Sequence, residues 1–293
     1  MIVGIDIGGS TTKAVAYQDG IAGKTSVTTT DPYAAAAGAL AKLFIDINKN
    51  LKDVRRIAVT GGGSRAITSD LLGLAVSKVD EMRAIGLGGI ALTGKKQALV
   101  VSMGTGTAIL AVKDEGRRIQ HVAGTAVGGG TLVGLARCIL NKYEIESLWR
   151  LAKNGDLGRV DLSVKDIAGG AVGFLPENAT ASNFGKITDD ASESDFALGV
   201  VNMVGQVIGT IACLAAKANG LEQDVVLVGK VAGNEEITDV MQRVGALYGV
   251  KMVVPRDPDF CTALGAAMAM VPITVHPSRG PRRRHARASS NAR

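Results

Sequence analysis

The 293-residue sequence predicts an α/β protein of two β-rich lobes, each opening on a glycine and threonine hairpin and each decorated by helices. Three observations predict it. In "MIVGIDIGGSTTKAVAYQDG", the apolar runs Ile2 to Ile7 and Lys13 to Tyr17 flank Gly8-Gly9-Ser10-Thr11-Thr12, the pattern of strand, tight turn, strand. The same pattern returns from Ala98 in "ALVVSMGTGTAILAV", where Leu99 to Met103 and Ala108 to Val112 flank Gly104-Thr105-Gly106-Thr107. A hydrophobic content of 46% with only 3% aromatic residues supplies full apolar cores of the Ala, Gly and Val type.

Between the hairpins, "RRIAVTGGGSRAI" reads as a strand ending in glycines and leading to a helix, and "VSKVDEMRAIGLGGIAL" as a short strand followed by a helix from about Asp80. After the second hairpin, "HVAGTAVGGGTLVGLARCIL" predicts a strand, a glycine loop and an amphipathic helix. A long apolar helix is expected from Ala197 to Asn219, with Gly205 and Gly209 spaced for close packing in the core. "DVVLVGKVAGNEE" is a strand ending at Gly229 with a helix to follow. The predicted division is an N-terminal lobe over 1–97, a C-terminal lobe over 98–271 and a tail over 272–293.

The net charge of +6 belongs to that tail, since "PITVHPSRGPRRRHARASSNAR" holds six arginines and no acid, which leaves 6 − 6 = 0 for the rest. Its Pro, Ser and Arg content cannot build a core, so it is expected to be disordered, and no nucleic-acid binding is expected from it. The chain starts directly in a strand, and its longest apolar stretch, Ala197 to Ala216, is broken by Asn202, Gln206 and glycines. Neither a signal peptide nor a membrane span is expected, and the localisation expected is cytoplasmic. Cys138, Cys213 and Cys261 are far apart and are read as buried thiols in a reducing compartment.

The chemistry suggested by the two hairpins is anion binding. Glycines let backbone N–H groups point into a turn unobstructed, and Ser10, Thr11, Thr105 and Thr107 add hydroxyl donors. Facing each other, two such turns would clamp a polyphosphate. A Walker A loop is excluded, because a strand rather than a helix follows Lys13, and G-x-G-x-x-G is absent. Asp6, at the end of the first strand, suits Mg²⁺ held directly or through water, and Lys13 suits the transferring phosphoryl group.

In order, "GIDIGGSTTK", "SMGTGT" and "LVGKVAG" resemble the two phosphate motifs and the adenosine motif of the actin, Hsp70 and sugar-kinase superfamily. The blocks "VDEMRAIGLGG", "HVAGTAVGGGTLVGL", "DLSVKDI" and "TASNFGKI" resemble those of type II pantothenate kinases, and the likeness runs from residue 2 to about residue 270. It implies a two-lobed actin-like ATPase (ribonuclease H-like) fold with duplicated lobes and a nucleotide cleft between them. It also implies ATP and Mg²⁺ as cofactors, pantothenate as the phosphoryl acceptor and a homodimer.

Residue by residue, the resemblance makes Glu81 the base that takes the proton from the substrate hydroxyl, although a carboxylate there also suits the first turn of a helix. Gly8, Gly9, Ser10, Thr11 and Lys13 would meet phosphate with Gly104, Thr105, Gly106 and Thr107. Gly128, Gly129 and Gly130 open a helix whose amides would meet nucleotide phosphate, or serve close packing instead. Gly229 would let adenosine lie against backbone. Thr105, His121, Gly124 and Thr125, with Glu81, would line the acceptor. Two positions depart from the family: His121 stands where it carries arginine, and Ala108 where it carries serine or threonine. A neutral imidazole is a weaker anion partner than guanidinium, so these departures bear on the acceptor and leave the kinase chemistry untouched. The readings left open are a kinase for pantetheine or an amino sugar, the ATPase activator of a 2-hydroxyacyl-CoA dehydratase, and an actin-type nucleotide switch.

Overall fold

The computed structural model describes residues 1–271, so the expectation for the tail lies outside the described residues. The chain begins with the hairpin of β1 (Ile2–Ile7) and β2 (Thr11–Tyr17), continued by β3 (Ile21–Thr28) and the helix α1 (Pro32–Ile47). Then follow β4 (Arg56–Thr60), β5 (Asp70–Leu71), β6 (Leu74–Lys78) and α2 (Glu81–Thr93). The glycines after β4 lead into a short 3₁₀ helix, Gly62–Ala66, where the sequence suggested a helix. Three consecutive glycines, with Gly61 at φ +82°, give the chain too little helix propensity to propagate an α-helix there.

The second half opens with β7 (Ala98–Met103), β8 (Thr107–Lys113) and β9 (Arg118–Thr125), then α3 (Gly129–Leu140) and α4 (Ile145–Ala152). A small excursion holds β10 (Leu162–Ser163), α5 (Val164–Ala168) and β11 (Thr180–Ser182). The long helix α6 (Glu193–Asn219), β12 (Val225–Val228), α7 (Glu235–Tyr248), β13 (Met252–Val253) and α8 (Cys261–Met268) complete it.

Two mixed sheets result, ordered β3-β2-β1-β4-β6-β5 and β13-β12-β7-β8-β9. Each has an antiparallel three-strand meander flanked by a parallel strand, β4 beside β1 in one and β12 beside β7 in the other. The duplication read from the hairpins is therefore a duplication of sheet topology.

Each sheet is covered on both faces, which is why its central strands read as continuous apolar runs. Leu40 and Leu43 of α1 pack against Val3, Ile5 and Ile57 of the first sheet. On the second, α3, α6 and α7 bury Leu132, Val204, Ile208 and Met241 over Leu99, Val101 and Leu227. α6 has the length and apolarity of a membrane span, but 61% of its most apolar window is buried within the protein, so its apolar surface serves the core. The cysteines do not all follow expectation. Cys213 and Cys261 are buried, but Cys138 is exposed, because α3 turns that side outward.

The remaining faces cross the boundary at residue 97. α2 precedes the second hairpin yet lays Ile85 against Val100, Leu110 and Val226 of the second sheet. α8, from the chain's other end, covers β1 and β2 of the first sheet through Ala263 and Leu264 against Val15. The two helices lie against each other, so each lobe is finished by a helix adjacent to the other lobe.

One polar core sits in the second half. Asp161 is buried and accepts from the Phe184 amide at 2.9 Å and from Asn202 Nδ2 at 2.7 Å, while Asn183 Nδ2 donates to Gln206 at 3.0 Å. It fastens the "ASNFGK" segment to α6. Asp161→Ala would orphan the buried donors, and a loss of about 2–4 kcal/mol in chemical denaturation is expected. An unchanged midpoint would mean that water replaces the carboxylate.

Candidate active site

Asp6 stands at the end of β1 on the same face as Gly4, and that face meets α8 so closely that a Cβ on Gly4 would lie 2.0 Å from the Ala263 carbonyl oxygen. Lys13 is the register partner of Asp6 across the hairpin, so its side chain shares the face. Lys13 is buried, and its ammonium pairs with Asp259 Oδ1 at 2.5 Å, in the 3₁₀ turn Pro258–Phe260 that leads into α8. Gly61 follows the adjacent strand at φ +82°, and a Cβ there would lie 2.5 Å from Asp6 Oδ1. Only glycine leaves that carboxylate its place.

Burial pushes the Asp6 carboxyl up from its ordinary 3.8 to about 6; the Lys13 charge pulls down, and the charges of Glu81 and Asp259 push up further. The three carboxylates and the lysine thus share one electrostatic environment, fed by β1, β2, the start of α2 and the entry to α8. Glu81 is the exposed first residue of α2, behind a cap in which Asp80 Oδ1 accepts from the Arg83 amide at 2.9 Å.

Among the described residues, no group of three His, Cys, Asp or Glu side chains forms a protein-only metal cage. A single half-buried carboxylate beside a glycine turn instead fits Mg²⁺, which keeps water and phosphate oxygens in its shell.

The first turn leaves Gly9 and Ser10 exposed, while the Gly8 amide is held by the Thr11 carbonyl at 3.1 Å. In the second turn Gly104 and Thr105 are exposed. Two expectations are corrected there. The Thr107 hydroxyl donates to the Val127 carbonyl at 2.8 Å, so it fastens the loop after β9 instead of facing outward. The Gly129 and Gly130 amides donate to the carbonyls of Gly104 at 2.8 Å and Thr105 at 2.9 Å, so these two are engaged. A Cβ on Gly128 would lie 2.7 Å from the Thr105 carbonyl oxygen. The glycine run therefore gives close approach, docking the helix end beneath the second hairpin. Thr125 Oγ1 likewise accepts from the Val127 amide at 3.1 Å.

Gly229, at φ +93°, would bring a Cβ to 2.5 Å from the Met103 carbonyl oxygen, and its amide donates to Pro258 at 2.9 Å. It joins the second hairpin to the turn that holds Asp259. Along β9, Gly116 just ahead of it meets Leu87 and Ile90 and then Ile119 meets Gly86, so the strand advances toward the N-terminal end of α2. His121 is exposed and shares the face of Ile119, with Nε2 beside Gly124, so it is carried toward the Glu81 end. Sequence reasoning missed Asp259 and the role of Gly61. Only the adjacency of "TGGG" to a strand pairing with β1 could have signalled Gly61.

The Fumble family model matches residues 95–268. The type II pantothenate kinase of Oceanobacillus iheyensis is 32% identical over 246 residues, covering 81% of this chain and 87% of that protein. The one from Bacillus cereus is 28% identical over 276 residues, covering 91% and 97%. Among solved structures, the activator of 2-hydroxyisocaproyl-CoA dehydratase from Clostridium difficile with bound ADPNP superposes with a TM-score of 0.66 at 21% identity, over 92% of this chain and 93% of that one. A ROK family glucokinase from Streptomyces griseus in complex with glucose and AMPPNP gives 0.62 at 11% identity, over 92% and 98%. At these identities the structures speak for the fold alone, a two-lobed actin-like ATPase fold.

Proposed function

The chain belongs to the type II pantothenate kinase family, and from that premise we propose how its cleft works. It is an ATP-dependent kinase that converts pantothenate to 4′-phosphopantothenate at the first step of coenzyme A biosynthesis. Glu81 takes the proton of the primary hydroxyl, whose oxygen attacks the γ-phosphorus in line as ADP leaves. Lys13, fixed by Asp259, faces the transferring group with its charge, and Asp6 would hold Mg²⁺, which would supply neutralising charge to the phosphate oxygens. The turns Gly8 to Thr11 and Gly104 to Gly106 hold the phosphates, and adenosine lies over Gly229. Thr105, His121, Gly124 and Thr125 line the acceptor side. The protein works as a cytoplasmic homodimer.

The observation that carries this reading is the pairing of Asp6 with Lys13 across the first glycine turn, Lys13 being held by Asp259, with the Glu81 charge acting on the Asp6 carboxyl. It is tested by ADP release from Mg²⁺-ATP with and without pantothenate, for the natural chain and Glu81→Gln. Pantothenate is expected to raise the rate well above basal, and the variant to lose about a hundredfold of that increment while still binding ATP. A full rate in the variant would remove Glu81 as base. A second reading, a kinase for pantetheine or an amino sugar, is favoured by His121 in the acceptor wall. It would be adopted if those compounds, and not pantothenate, raised the rate.

A further inference from the structure

α2 and β2 each have an end remote from the first glycine turn, and between those ends lies a cavity of about 640 Å³ that no step of the kinase reaction uses. Tyr17, at the far end of β2 from the turn, and Lys24 of β3 form its first-lobe wall. Leu92, in the last turn of α2, and Leu264 and Met268 of α8 form the other. Its size lies within the range of small-molecule sites, and its walls are mainly apolar.

The charges at its rim are unbalanced. Lys24 pairs with Asp257, and Arg256 Nε reaches the same carboxylate at 3.8 Å, so two cations share one anion. The Arg256 side chain is 95% exposed and its guanidinium retains free donors. Among the described residues lining the cavity, these three carry the only charges.

We propose that this cavity is a second ligand site, for a small amphipathic anion whose aliphatic body lies against Leu92, Leu264 and Met268 and whose acidic head meets Arg256. The walls come from elements that also carry the site chemistry. β2 bears Lys13, α2 starts at Glu81, and Asp257 lies two residues before Asp259. An occupant therefore touches both lobes and the segment that fixes Lys13 by an ion pair.

Octanoate is the probe, below its micellar range, with octylammonium as the ligand of equal tail and opposite charge; both are read by displacement of anilinonaphthalene sulfonate from the full-length protein. Octanoate is expected to bind saturably at one site per chain, at least about fivefold more tightly than octylammonium. Arg256→Glu, at an exposed position that leaves the fold intact, is expected to invert that preference. Leu92→Glu is expected to abolish octanoate binding by placing a charge in the apolar wall. The proposal is overturned if the two probes bind alike, if Arg256→Glu leaves the preference unchanged, or if saturating Mg²⁺-ATP or pantothenate displaces octanoate competitively. The readout is binding, so it stands apart from the identity of the phosphoryl acceptor.

Discussion

Asp6→Asn lowers pantothenate-dependent ADP release about a thousandfold and, at neutral pH, raises the melting temperature of the nucleotide-free protein; this paired result is the one expected. The activity loss follows from removing the carboxylate proposed to hold Mg²⁺, whose contribution to the transition state would be several kcal/mol. The stabilisation follows from the direction of the Asp6 shift. Burial raises its carboxyl from 3.8 to about 6, so between those values the unfolded chain is ionised while the folded one keeps its proton. The folded state then binds more protons, and stability falls as pH rises through about 4 to 6. At pH 7 the full cost is present, at most about 3 kcal/mol for a shift of this size. An amide carries no such cost, although it forgoes the Lys13 attraction. The nucleotide-free natural protein is thus expected to be more stable at pH 5 than at pH 7, and the variant to lack that slope. A variant that melts lower at every pH would show that ionised Asp6 is structural, held by Lys13 more strongly than burial opposes it. The same shift predicts that ADP release at limiting Mg²⁺ fails below about pH 6, with the acid limb moving down as Mg²⁺ saturates, because a cation favours the ionised form.

The parts of this site legible in the sequence are those set by local geometry. A continuous apolar run broken by a glycine turn set both hairpins, their turns and the side-by-side placement of Asp6 and Lys13, since in an antiparallel pair the turn length sets the register. The switch from a short strand to a helical pattern at about Asp80 placed the start of α2, and with it the position of Glu81. What escaped was set by contacts between distant segments. Asp259 meets Lys13 from the other end of the described chain, and nothing in "RDPDFCTAL" distinguishes a carboxylate that fixes a lysine from an ordinary turn. Thr107 and the Gly129 and Gly130 amides have the types expected of phosphate donors, but the tertiary fold uses them to bind the hairpin to α3. Residue type thus pointed to an anion-binding motif, while the allocation of each donor depended on which chain segment packed beneath it. The same holds for the lobe boundary. A cut at residue 97 follows the hairpin duplication, whereas Ile85 on the apolar face of α2 is covered by the second sheet.

Gly265→Ala is expected to cost more than about 4 kcal/mol in chemical denaturation, although alanine is the better helix former by about 1 kcal/mol. The reason lies where α2 and α8 meet. A Cβ on Gly265 would stand 1.7 Å from the Ala84 carbonyl oxygen and 2.7 Å from the Gly88 amide nitrogen, and one on Gly88 would stand 1.9 Å from the Cys261 carbonyl oxygen. These neighbours are backbone atoms, which cannot rotate aside, so one methyl group must push two helices apart. The separation cannot stay local, because α8 also presses on β1, where a Cβ on Gly4 would meet the Ala263 carbonyl. Moving α8 carries Asp259 away from Lys13, and moving α2 carries Glu81 away from Asp6. Molecules of the variant that still fold are therefore expected to lose turnover as well, since about 1 Å of misplacement at a reacting group costs about a hundredfold. Gly134→Ala is the control of opposite sign. Gly134 lies on the exposed side of α3 with no atom within 4 Å of an added Cβ, so the same methyl group there is expected to stabilise by about 0.5–1 kcal/mol. Equal small effects at both positions would mean that the α2–α8 contact is looser than its backbone distances imply. Opposite signs would establish that the glycines at this crossing are required by the close approach of two backbones, and that the two lobes are joined through it.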